Sequence, residues 1–191
     1  MGRFNNRSIL YLHGYDSSAQ GVKPNALRAL CTENRLLIPD LPLDPQECMV
    51  LAEDTLRTAS NDTLIIGASL GGFYAYYLAS KFKKDCLLIN PVFQPAMEAK
   101  KMLDAEENLE KKKLILNAAN MYLAYTSTLN SMDKPNNCFV ALGTKDMVIN
   151  AEESALHFSD AYVNNYDDDH LLLNSFEKVL EDFEEYILAR T

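Results

Sequence analysis

Short β-prone runs alternate with helical patterns along most of the chain, and that alternation constrains the fold more than any other feature. Residues 8–12, 35–38, 63–66, 85–89 and 137–142 read as strands, and 161–165 is a shorter, weaker run. Helical spacing covers 26–32, 70–82 and 152–158. Asp44-Pro45-Gln46-Glu47 reads as a helix start: Asp44 can cap, Pro45 suits the first helical position, and Glu47 stands where a capping-box acid belongs. Met49, Ala52, Leu56 and Ala59 then share one face. In the last helix Phe176, Val179, Leu180, Phe183 and Ile187 recur at spacings of three and four.

Such an order predicts an α/β fold, a doubly wound and mostly parallel sheet with helices on both faces. Ligands of that architecture lie beyond the carboxyl ends of the strands, so the residues just past each strand are the ones to interrogate. One stretch does not alternate. Residues 94–133 are charged in their first half and apolar in their second, and read as a helical excursion between two sheet strands. A solvated helix pair and a cap over the pocket are both open readings. The 191 residues fit one domain, 1–191, with 94–133 inserted in it.

Composition excludes several classes. The formal charge of −9 repels phosphate backbones and argues against a nucleic-acid partner. No uninterrupted apolar stretch approaches the ~20 residues of a membrane span. The start, with Arg3 and Arg7 but only a short apolar run from Ile9 to Leu12, does not read as a secretory leader. Cys31, Cys48, Cys86 and Cys138 form no metal or disulfide signature, and Cys86 and Cys138 sit in apolar runs as core residues. A cytoplasmic chain with reduced thiols, no metal and no cofactor is the expectation.

The strand at 63–66 runs into Gly67-Ala68-Ser69-Leu70-Gly71, a G-x-S-x-G pattern with a strand before it and a helix after it. A tight, strained strand-to-helix turn pushes the serine hydroxyl above the sheet, and the helix N-terminus offers free N–H groups to a developing oxyanion. A serine hydroxyl needs a neighbouring base. Of three histidines, His13 lies in the first loop and reads as a brace for it. His157 lies inside a helical pattern, and His170 stands between the last strand and the last helix. His170 is the expected base. Asp146, just past the strand at 137–142, is the expected acid that orients it, giving the chain order Ser69, Asp146, His170. The expected oxyanion donors are the backbone N–H groups of Leu70 and Tyr15.

At these residues the chain resembles the small YqiA/YcfP-type bacterial esterases of the α/β-hydrolase superfamily. Tyr11-Leu12-His13-Gly14-Tyr15-Asp16-Ser17-Ser18 is similar to that family's opening motif, and Pro39-Asp40-Leu41-Pro42 with Pro45 to its P-x-L-P segment. Gly67-Ala68-Ser69-Leu70-Gly71-Gly72-Phe73-Tyr74-Ala75 resembles its elbow, and Asn90-Pro91 its strand-ending N-P. The resemblance implies a compact α/β-hydrolase fold and cofactor-independent hydrolysis of a small-molecule acyl ester. It is looser in the last third, where Asp167-Asp168-Asp169 precede His170 in place of the family's usual glycines, and residues 94–133 give no match.

The triad does not fix the leaving group. An acyl thioesterase or acyltransferase uses the same acyl-enzyme, and a non-catalytic binding module of the same fold is the reading from another class. Acyl-chain length and oligomeric state are not encoded in these motifs.

Overall fold

The computed structural model describes residues 3–32 and 34–190. Among them, six strands form one sheet: β1 (Ile9–Leu12), β2 (Leu36–Leu37), β3 (Leu64–Ala68), β4 (Cys86–Ile89), β5 (Cys138–Gly143) and β6 (Tyr162–Tyr166). Their order is β2-β1-β3-β4-β5-β6, and every neighbouring pair is parallel. The seven helices are α1 (Val22–Leu30), α2 (Pro45–Arg57), α3 (Leu70–Phe82), α4 (Pro95–Ala105), α5 (Leu109–Asn130), α6 (Ala151–His157) and α7 (Phe176–Leu188). This is the doubly wound α/β architecture that the alternation predicts.

The pleat sends alternate side chains to opposite faces. Leu10, Leu12, Ile65, Leu88 and Val140 pack with α2, α3 and part of α5. Ile9, Tyr11, Leu64, Ile66, Leu87 and Phe139 pack with α1 and α7. Strands buried on both sides must be apolar throughout, and β1, β3, β4 and β5 are.

Local chemistry sets most helix ends. The Asp44 carboxylate accepts from Gln46 N–H at 2.9 Å and Glu47 N–H at 3.0 Å, and Pro45 opens α2. The buried positions of α2 are Pro45, Cys48, Met49, Ala52 and Leu56, while Ala59 lies past its end. In α7 all five residues of the predicted stripe are buried, each contributing roughly 1.5–3 kcal/mol. α1 starts four residues earlier than its pattern suggests, because Gly21 opens it without a side-chain cap. β2 keeps only two residues, being an edge strand bonded to β1 alone.

Residues 94–133 fold as the predicted helical excursion, the packed pair α4 and α5. Asn108 caps α5 through Glu110 N–H (3.0 Å) and Lys111 N–H (3.1 Å). In α5 Ala119 and Tyr122 are buried and Ile115, Ala118, Tyr125 and Leu129 pack partly buried against the core, while Leu114, Leu116 and Leu123 face outward. No helix among the described residues is long and apolar enough to cross a membrane.

Candidate active site

β3 ends at Ala68, and the chain turns at Ser69 into α3 with φ 52° and ψ −122°. A non-glycine residue in that conformation is strained, and the surroundings must hold it there. They do so from β4: Ser69 N–H donates to Ile89 O (2.9 Å), and Val92 N–H donates to Ser69 O (3.0 Å). Gly67 and Gly71 are required by close approach. A Cβ on Gly71 would strike the carbonyl oxygens of Leu12 and His13, and one on Gly67 would strike Gly71 O and the Ala75 methyl. The elbow is thus wedged against the end of β1.

Past β5 and β6 lie Asp146 and His170. His170 Nδ1 is 2.7 Å from Asp146 Oδ2, with the carboxylate 1% and the imidazole 22% exposed. The other Asp146 oxygen accepts from Val148 N–H (2.7 Å) and Ile149 N–H (2.8 Å). Burial alone would raise this carboxyl, but the His170 hydrogen bond and the two backbone donors outweigh it and hold Asp146 below the ordinary carboxylate range. Ser69 stands at the end of β3, with β4 between it and β5, and among the described residues no hydrogen bond joins its hydroxyl to His170. In catalytic serine–histidine pairs such a bond often closes only around bound substrate.

The loop after β1 lies directly against the serine, since a Cβ on Gly14 would sit 3.1 Å from Ser69 Cβ. Among the described residues no protein acceptor is bonded to the Tyr15 or Leu70 backbone N–H. His13 is 4% exposed and braces this loop: Leu41 N–H donates to its Nε2 (2.9 Å), so Nδ1 carries the proton and donates to Gly14 O (2.9 Å). Ala19 N–H donates to Asp40, which ties the same loop to the P-x-L-P segment. Beside it opens a cleft of about 320 Å³, continuous with solvent, walled by Tyr15, Leu41, Pro42, Leu43, Leu70 and the inward Cys48 and Tyr74. Tyr74 and Tyr122 share a hydrogen bond of 2.9 Å behind it. His157 is away from this cleft, stacked on Phe93 with ring centroids 4.8 Å apart.

Three polar residues near the site escaped the sequence reading. Asp168, in the acidic run just before His170, is 3% exposed. Its carboxylate accepts from Asp169 N–H (2.9 Å), Ser175 N–H (2.8 Å) and Asn174 Nδ2 (3.2 Å), which shapes the loop that carries His170. Asn90, read only as a strand end, is 1% exposed. Lys23, in the first turn of α1, is 9% exposed and makes no hydrogen bond or ion pair among the described residues. No local pattern marks a polar residue for burial by loops far along the chain. Among the described residues no three His, Cys, Asp or Glu side chains group so as to hold a metal ion.

Burial pushes the Lys23 ammonium down to about 8, against the attraction of Asp169, Asp146 and Asp168. The unfolded chain holds that proton up to about 10.4. The fold therefore bears the full cost below pH 8, and stability rises as pH climbs from about 8 to 10.4. Lys23→Met is expected to stabilise the protein at pH 7 by about 2–3 kcal/mol. Urea unfolding at pH 7 and pH 10 checks this, because the gain must shrink at the higher pH; an equal or absent gain at both would refute it.

Several solved structures share this fold. An esterase of Pyrococcus furiosus is 17% identical, with a TM-score of 0.69 over 96% of this chain and 82% of that one. The α/β-hydrolase domain-containing protein 10 of mouse is 13% identical, with a TM-score of 0.78 over 100% and 92%. Est1E of Butyrivibrio proteoclasticus is 15% identical, with a TM-score of 0.66 over 96% and 88%. At such identities the likeness concerns the fold, which is that of the α/β hydrolases. Residues 8–187 match the pattern of an uncharacterised protein family, UPF0227. The chain therefore belongs to UPF0227, the YqiA/YcfP-type family that its motifs resemble.

Proposed function

We propose that this protein is a serine hydrolase that cleaves carboxylic esters through an acyl-enzyme on Ser69. The observation that carries the reading is the 2.7 Å bond between His170 and the buried Asp146, on loops at the same end of the parallel sheet as a strained serine elbow. In the first step His170 Nε2 takes the Ser69 proton while Oγ attacks the acyl carbonyl. The backbone N–H groups of Leu70 and Tyr15 hold the oxyanion. As the C–O bond breaks, the imidazolium returns the proton to the departing alcohol. Water then attacks the acyl-enzyme by the same route, releasing the acid and restoring Ser69. Asp146 keeps the proton of neutral His170 on Nδ1 and stabilises the imidazolium. The names of the similar Pyrococcus furiosus esterase and of Est1E accord with this chemistry.

The cleft walled by Tyr15, Leu41, Leu43 and Leu70 is apolar and narrow, which suits a short acyl group. Short acyl chains are the expected substrates. Tyr122 of α5 hydrogen-bonds Tyr74, which lines the cleft, and this contact supports reading residues 94–133 as a partial cap. A chain-length series of p-nitrophenyl esters beside the matching acyl-CoA thioesters, with fluorophosphonate labelling of the same sample, tests the reading. Labelling together with turnover of short oxygen esters is the expected result. Preferential turnover of acyl-CoA would transfer the triad to a thioesterase, and an unlabelled serine would leave a binding module.

A further inference from the structure

The end of β4 touches every part of the proposed machinery. Its last residue, Ile89, accepts from Ser69 N–H. The next residue, Asn90, is 1% exposed and sits at φ 42°, a left-handed conformation that asparagine tolerates better than most residues. Its backbone N–H continues the ladder to Ala141 O at 2.9 Å. Its side chain then spans two more loops. Oδ1 accepts from Gly143 N–H at 2.8 Å, and Nδ2 donates to Asp169 O at 3.2 Å and to His170 O at 3.0 Å. Both amide protons and the carbonyl are used in a site closed to water.

We propose that Asn90 is a positioning residue that sets the distance between His170 and Ser69. The inference rests on the triad reading above. His170 is held at two points: its ring by Asp146 and its main-chain carbonyl by Asn90. Those two fixings together decide where Nε2 points. Gly143, three residues before Asp146, hangs on the same amide, so the acid and the base are referred to one side chain. That side chain is covalently next to the strand residue that pins the nucleophile. Donor and acceptor must stand side by side for this, which a carboxylate or an apolar side chain of the same shape cannot provide. A shift of the imidazole by about 1 Å is enough to cost on the order of 10²-fold in rate.

A double-mutant cycle separates this role from plain support of the sheet. Asn90→Gly keeps the left-handed backbone comfortable and removes all three side-chain bonds. Asn90→Asp keeps the shape and the acceptor for Gly143 but loses both donors. Each is made in the wild type and in His170→Ala, and kcat and KM are measured on a short p-nitrophenyl ester. With His170 present, each substitution should lower kcat by about 10–100-fold, with KM nearly unchanged. In the His170→Ala background the same substitutions should change kcat by less than about twofold. An equal loss in both backgrounds, or an unchanged kcat in the first, overturns the proposal, as does failure of both variants to fold. Should His170→Ala alone leave activity intact, the triad reading itself fails, and that result is distinguishable from the others.

Discussion

Ser69→Ala lowers kcat on short p-nitrophenyl esters by about 10³-fold or more and leaves the unfolding midpoint where it was. Both halves follow from the geometry. Serine and alanine share the Cβ that makes φ 52° costly, so the turn is no more strained after the exchange. The main-chain bonds to Ile89 and from Val92 are untouched. The hydroxyl makes no hydrogen bond to the protein among the described residues, so its removal orphans nothing. What disappears is the only atom to which the acyl group can be transferred. KM should stay near the wild-type value, since the cleft is walled by other residues. Fluorophosphonate labelling should vanish with the rate. Wild-type turnover by a purified, folded Ser69→Ala protein would end the proposed function.

The features that could be read from the sequence are those with local causes. The cap at Asp44 and the stripe of α7 depend on residues within a turn or two, and both occur as expected. The elbow is equally local, because its glycines and its strained serine follow one another directly. His170 and Asp146 are 24 positions apart, yet the parallel sheet order puts the ends of β5 and β6 side by side, so a topological rule stands in for a contact map. Asn90, Asp168 and Lys23 had no such rule. Asn90 reaches residues 53 and 80 positions away, and its worth depends on where three loops meet. Asp168 differs from its exposed neighbour Asp167 only in which way the loop turns: Asp167 pairs with Lys145 in solvent, while Asp168 is drawn into its own loop. Residues 94–133 leave a surface helix pair and a cap both open, because which side of α5 is covered depends on distant helices: Ala119 and Tyr122 are buried, and Ile115, Ala118, Tyr125 and Leu129 pack partly buried against the core.

Asp146→Asn should lower kcat by about 10⁴-fold while the loop keeps its shape. The oxygen that accepts from Val148 and Ile149 can remain in place as the carbonyl of the amide. The NH2 group then faces His170 Nδ1, where a carboxylate oxygen stood at 2.7 Å. A donor in that position forces Nδ1 to accept, which moves the imidazole proton to Nε2, the atom that must take the Ser69 proton. Raising the pH cannot repair a wrong tautomer, so the loss should persist across the alkaline range. Stability carries a second signature. The folded protein holds Asp146 below its ordinary range, so its carboxylate stabilises the fold above the unfolded pKa of about 3.9. That contribution is lost as pH falls through the lower, folded value. The variant should therefore be less stable than wild type at pH 7, with the gap closing in acid. Urea unfolding across that range, beside the rate measurements, decides the matter: a rate loss under about tenfold would mean that the acid does not hold the tautomer, whatever the stability shows.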